Sequence, residues 1–168
     1  MSGLKIIVLA KQVPATRNVG KDAMKADGTV NRAALPAIYN PEDLNALEFA
    51  LRIKDTLPGS TITVLTMGPG RAADIIRESM FRGADYGILL TDRAFAGSDT
   101  LATSYALSRA VVQYGQVNII VAGRQAIDGD TAQVGPQVAE KLGLPQITYV
   151  EELLKIKERE IVVKRRLD

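Results

Sequence analysis

Short β-branched apolar runs alternate with stretches of helical period along this chain, and that alternation restricts the fold more than any other feature. Leu4 to Ala10, Thr61 to Met67, Tyr86 to Thr91 and Val117 to Gly123 are runs of strand length with the unbroken apolar character of strands covered on both faces. Ile147 to Val150 is a weaker fifth run. Between them, Glu42 to Leu57 places Leu44, Leu47, Ala50 and Leu51 on one helical face, with Asn40 as the expected cap, Pro41 at the first position and Asp43 in the first turn. Arg71 to Arg82, ending at Gly83, reads as a second helix, Ser98 to Tyr114 as a third, and Thr131 to Leu142, ending at Gly143, as a fourth. Strand-helix crossovers of this kind demand a parallel sheet with helices on both faces. The expected class is therefore α/β, a three-layer α/β/α arrangement around a mainly parallel, Rossmann-like sheet.

A chain of 168 residues can bury a core without staples, and residues 1–150 read as one nucleotide-binding α/β domain. Residues 151–168 stand apart: eleven of the eighteen are charged, and Glu160 to Leu167 looks like a strand whose partner is missing. This implies a fragment, with the opening of a further segment at its end. About thirty residues separate the first strand from its helix, and residues 11–40 are expected to cover a ligand. Within them, Asp27-Gly28 suggests a small hairpin.

Composition removes several chemistries. Twenty-one Lys and Arg against nineteen Asp and Glu leave a net charge of +2, too little for a dedicated nucleic-acid surface. Neither histidine nor cysteine is present, which excludes Ser-His and Cys-His nucleophiles and ordinary zinc sites. No apolar run is long enough to span a bilayer and no secretory signal pattern opens the chain, so the expected location is the cytoplasm, without membrane insertion. Chemistry must then come from a cofactor, or from carboxylates and lysines.

Open parallel sheets bind ligands beyond the carboxyl ends of their strands, where strand order reverses. That selects three loops, Ala10 to Pro14, Met67 to Arg71 and Gly123 to Pro136. The last is the most informative. Gly123, Gly129 and Gly135 permit tight backbone, and a helix starting near Asp128 to Thr131 would turn free amides and a positive dipole end toward the crevice. Thr131 and Gln133 add donors, and Arg124 can offset phosphate charge. Asp128 and Asp130 oppose an anion unless one caps the helix and the other meets a ribose hydroxyl. Gly68-Pro-Gly-Arg-Ala-Ala73, with Asp92 about twenty residues on, matches a dinucleotide fingerprint. Pro69 removes an amide from it, however, and it reads as a turn that opens a helix. Ser98-Asp99-Thr100 reads as a capping cluster, and Glu48, Glu78 and Glu140 as solvated helix faces.

These segments together resemble the β subunit of electron transfer flavoprotein. Gly123 to Gln137 is very similar to that family's nucleotide-binding segment, and Lys11-Gln-Val-Pro14, Asn40 to Glu48, Met67 to Gly70 and Arg82 to Asp85 follow in the family's order. The resemblance implies an adenine-nucleotide α-hydrolase-like fold and a module that pairs with an α subunit to carry electrons from dehydrogenases. It implies AMP in respiratory members, or a second FAD that takes a hydride from NADH in bifurcating ones. Lys11 to Pro14 with Thr16, and Asn40-Pro-Glu-Asp43 before Ala46-Leu-Glu48, are closer to the bifurcating type, so FAD is the expected cofactor and AMP the alternative. Contacts implied for the shared adenylate are Leu9, Ala10, Lys11, Asn40, Asp43, Met67, Gly123, Arg124, Gln125, Ala126, Ile127, Asp128, Gly129, Asp130, Thr131, Ala132, Gln133, Val134 and Gly135. Lys11 would lie near the flavin ring and favour its reduced anion. No residue is assigned a catalytic role, since the redox chemistry belongs to the flavin. The competing reading is an adenine-nucleotide sensor with no electron transfer.

Overall fold

A computed structural model describes residues 3–15, 23, 26, 35–157 and 160–167. Four parallel strands form the central sheet: β1 (Lys5–Leu9), β4 (Thr61–Met67), β5 (Tyr86–Leu90) and β6 (Ile119–Ala122), in the order β5-β4-β1-β6. Two further strands, β2 (Gln12–Pro14) and β3 (Ala37–Tyr39), pair antiparallel at the base of the long loop. The hairpin expected at Asp27-Gly28 lies outside the described residues.

Strand alternation sorts the core into two layers. Ile6, Val8, Ile62 and Val64 face one side, where they meet Ala46, Leu47, Ala50 and Ile53 of α1 (Pro41–Thr56) and Ile75 of α2 (Ala73–Arg82). Ile7, Leu9 and Leu65 face the other, against Leu107 and Val111 of α3 (Thr100–Tyr114) and Val138 of α4 (Val134–Leu142). The result is the expected three-layer α/β/α fold with a parallel sheet.

Local signals act as their chemistry requires at several ends. Gly83 and Gly143 stop α2 and α4 in the left-handed region, at φ 119° and 63°. Asp99 caps α3 by accepting from the Ala102 amide at 2.8 Å. Asp92 accepts from the Ala94 amide, and Gly70–Ala72 form a 3₁₀ turn leading into α2, so the Gly68 motif opens a helix as read.

Three expectations need correction. The run from Ile147 does not add a fifth strand to the sheet: regular structure begins at Val150, and β7 (Val150–Lys157) leaves to pair elsewhere. Its partner is β8 (Glu160–Arg165), so the terminal strand is not unpaired. A register shift between Leu153 and Lys155 lets one face of the antiparallel ribbon meet the core: Ile156 is buried, and Leu153 and Ile161 pack partly buried against the α1 side, while most of the charged residues point outward. Helix α4 starts at Val134, later than the expected Asp128 to Thr131, for a reason that lies in the loop before it.

Candidate functional site

From β1 the chain crosses outward to β4 and β5, then returns to place β6 on the opposite side of β1, with Leu9 beside Ala122. The carboxyl ends of β1 and β6 are thus the point where strand order reverses, the position at which α/β sheets open a ligand crevice. Leu9 ends β1 and Ala10 follows it; both are buried. Ala10 is anchored by its amide to the Leu65 carbonyl, and Met67 ends β4 next to them.

The first turn of α1 sits against both strand ends. Asn40 occupies the cap position but makes no side-chain cap; its Nδ2 donates to the Gln125 carbonyl at 2.8 Å and its Oδ1 accepts from the Ile127 amide at 3.2 Å. The expected capping role is therefore replaced by a hold on the loop after β6. The Asp43 carboxylate accepts from the Lys11 amide at 2.8 Å and also from the Gly123 amide. Burial pushes the Asp43 carboxyl up to about 7, against the opposing pull of hydrogen bonds from the Asn40 amide group and the Lys11 and Gly123 backbone, and of the Lys11 charge. At Gly123 a side chain would collide with the Asp43 carboxylate and with the Glu42 backbone 2.7 Å away, so only glycine lets α1 approach this closely.

The loop from 124 to 133 spends its early amides internally. The Ala126 carbonyl accepts from the Gly129 amide at 3.2 Å and the Asp130 amide at 2.9 Å, closing a turn that cannot also begin α4. Asp130 and Ala132 then adopt φ of 49° and 53°, a conformation rare for residues with a side chain and concentrated at functional loops. Gly129 needs no glycine for tightness, contrary to expectation: its φ is not in the left-handed region and a Cβ there would meet nothing within 4 Å. At Gly135 a Cβ would make only an ordinary contact, 3.5 Å from that of Ala122. Helix α4 begins without a side-chain cap at Gln133. Its first amides, Val134 and Gly135, have no acceptor within the helix, and Pro136 has no amide to offer.

Each carboxylate near the loop is matched to a donor. Lys11 Nζ meets Asp128 at 2.7 Å, bridging the loops after β1 and β6, with the Asp128 side chain only 3% exposed. Gln125 Nε2 donates to Asp130 at 2.7 Å. Neither aspartate caps the helix. Arg124 pairs with Glu42 of α1 at 3.1 Å, so its charge is shared at the rim. Thr131 is exposed. Two further contacts escaped sequence reasoning: Thr100 donates to Gln133 at 2.9 Å and Ser104 to Gln137 at 3.0 Å, tying the start of α4 to α3. The Ser98-Asp-Thr cluster marks the first, but nothing in the sequence marks Ser104, which is wholly buried.

This α/β domain combines a strand-order reversal, an uncapped helix start and a loop with two non-glycine residues at positive φ, features with which α/β folds commonly receive anions. Its matched carboxylates remove the chief electrostatic objection to an anion. Residues 27–168 match the electron transfer flavoprotein domain family, and the chain belongs to that family. Over 98% of its length it is 48% identical to the caffeyl-CoA reductase-Etf complex subunit CarD of Acetobacterium woodii. It is 50% identical, again over 98% of its length, to the electron transfer flavoprotein subunit beta of Thermoanaerobacterium thermosaccharolyticum. To the protein FixA of Rhizobium meliloti it is 46% identical. The chain spans 62% of the first two relatives and 58% of the third.

Proposed function

We propose that this chain is the nucleotide-binding part of an electron transfer flavoprotein β subunit, that it holds FAD, with AMP as the alternative, and that it works beside an α subunit. The observation that carries this reading is the uncapped start of α4, placed at the point of strand reversal and preceded by the strained loop. Identities of 50% and 51% to two relatives named as β subunits support it. The name of the caffeyl-CoA reductase relative, a complex subunit, supports a dehydrogenase or reductase partner. Electrons would pass between NADH or acyl-CoA-type dehydrogenases and the α-subunit flavin.

Bound FAD would supply reversible one- and two-electron chemistry; the chain supplies position and field. Val134 and Gly135 offer backbone N–H groups to phosphate oxygens, and Thr131 and Gln133 add side-chain donors beside them. Leu9, Ala10 and Met67 form the apolar wall at the strand ends, suited to the adenine. The loop through Gly123, Arg124, Gln125, Ala126, Ile127, Asp128, Gly129, Asp130 and Ala132 gives the pocket its edge, and the open space at Gly129 leaves room for close approach. Lys11 acts as one half of an ion pair with Asp128, which shields any flavin nearby from its full charge.

Replacing Arg124 with Glu tests the reading without touching the core, because the side chain is half exposed. Purified with its partner subunit, the variant should lose bound nucleotide by about tenfold relative to the parent, as expected for one charge-assisted contact. Full occupancy in the variant would count against phosphate binding at this loop.

A further inference from the structure

Helix α4 opens without a cap of its own: Gln133 makes no side-chain cap, and the loop before it passes through Asp130 and Ala132 at positive φ. Helix α3 is the opposite case, because Asp99 accepts from the Ala102 amide and closes its first turn. The two helices are joined at their starts. Thr100 donates to Gln133 Oε1 at 2.9 Å; Ser104, four residues on, shares its proton between the Leu101 carbonyl and Gln137 Oε1, at 2.9 and 3.0 Å. Equal spacing on both helices means that α3 and α4 run side by side in the same direction with their first turns level. Further along, Val138 of α4 packs with Leu107 and Val111 of α3 in one apolar layer. Ser104 is wholly buried, so its tie is shielded from water, whereas the Thr100 pair lies at the surface.

We infer that Thr100 and Ser104 of α3 are positioning residues for the phosphate end of the nucleotide: acting through Gln133 and Gln137, they set where the first turn of α4 stands and which end of the Gln133 amide faces the crevice. This rests on the nucleotide reading above. A primary amide offers an acceptor at one end and two donors at the other. With the Thr100 hydroxyl holding Oε1, Nε2 is the end left to meet a phosphate oxygen. Without that hold the amide can turn over and present its oxygen to the anion, which loses one hydrogen bond and adds a repulsion. The effect falls on the phosphate alone, because the wall proposed for the base is built from Leu9, Ala10 and Met67, on other elements.

The test uses Thr100→Val, which keeps the branched shape and removes the donor, with Thr100→Ser as its rescue, in the protein purified with its partner subunit and stripped of nucleotide. AMP and adenosine are titrated in parallel by calorimetry, and Thr100→Val is measured again in a Gln133→Ala background. The expected result is AMP affinity lower by about fivefold to tenfold in Thr100→Val, with adenosine affinity within about twofold of the parent. Thr100→Ser should recover AMP affinity, and in the Gln133→Ala background Thr100→Val should bring no further loss. Ser104→Ala should show the same split between the two ligands; if it does not fold, the Thr100 variants carry the test, because that pair lies at the surface. Equal weakening of AMP and adenosine would leave both residues a general packing role and overturn the inference. So would AMP affinity unchanged in Thr100→Val, or a loss that adds in full to that of Gln133→Ala, the mark of a hydroxyl that touches the phosphate itself. Parent protein that binds neither AMP nor FAD would instead refute the nucleotide reading.

Discussion

Replacing Asp43 with Asn should change how stability depends on pH, by an amount set by where the carboxylate sits. The group is 7% exposed, and burial lifts it from an ordinary 3.8 to about 7. A raised carboxyl binds its proton more tightly in the folded chain than in the unfolded one. Its contribution to stability is therefore full below about pH 4 and is lost as pH rises through 7. At about 1.4 kcal/mol per pK unit, the whole window corresponds to about 4 kcal/mol, and the interval from pH 5 to pH 7 to about 2 to 3 kcal/mol. The carboxamide of Asn does not titrate and mimics the neutral acid in presenting a carbonyl oxygen beside a donor group, an NH2 with two N–H donors in place of a single O–H. Urea unfolding of parent and variant at several pH values between 5 and 8 isolates the term, since other groups cancel in the difference. The stability difference should move in favour of the variant by about 2 kcal/mol between pH 5 and pH 7. A difference that does not vary with pH would refute the assignment of a buried, titrating carboxylate at this position.

Other perturbations have outcomes fixed by the same geometry. Lys11→Met removes the cation from the nearly buried Asp128 carboxylate, and should destabilise the chain by about 1 to 3 kcal/mol, less than for a wholly buried pair because Lys11 is 44% exposed; adding Asp128→Asn should recover most of the loss in thermal unfolding. Gly123→Ala should cost about 2 kcal/mol or more by forcing α1 off the loop, whereas Gly129→Ala should leave unfolding within about 0.5 kcal/mol and lower nucleotide affinity measured by calorimetry. Asp99→Ala removes the cap of α3 and should cost about 1 kcal/mol in urea unfolding.

The elements legible in the sequence are those specified by neighbouring residues. Thr61 to Met67 alternates between two buried faces, so its strand is bounded as read. Pro41 fixes the start of α1, and Gly83 and Gly143 fix two ends, because each imposes a backbone angle on its own. The misses share a cause, which is competition from distant partners. Asn40 looks like a cap locally, but Gln125 and Ile127 offer it a buried pairing that the helix start cannot match. Helix α4 is delayed because the Ala126 carbonyl captures the Gly129 and Asp130 amides. The pairing of β8 is hidden because β7 is highly charged and a register shift between Leu153 and Lys155, which puts Leu153 and Ile156 on one face, breaks the alternation that would mark a strand. In the site, glycine spacing located the loop correctly, but not which amides it leaves open: Gly123 is there for the approach of α1, and Gly129 for no steric need of the chain itself.

Mass spectrometry of the small molecules released when the purified protein and its partner subunit are denatured tests the central claim most directly. Release of FAD in amounts stoichiometric with the chain, beyond the flavin held by the partner, is the expected result, and AMP in the same amount would still place an adenylate in the crevice between β1 and β6. ATP alone would point to a nucleotide sensor, and release of no adenine nucleotide attributable to this chain would contradict the account.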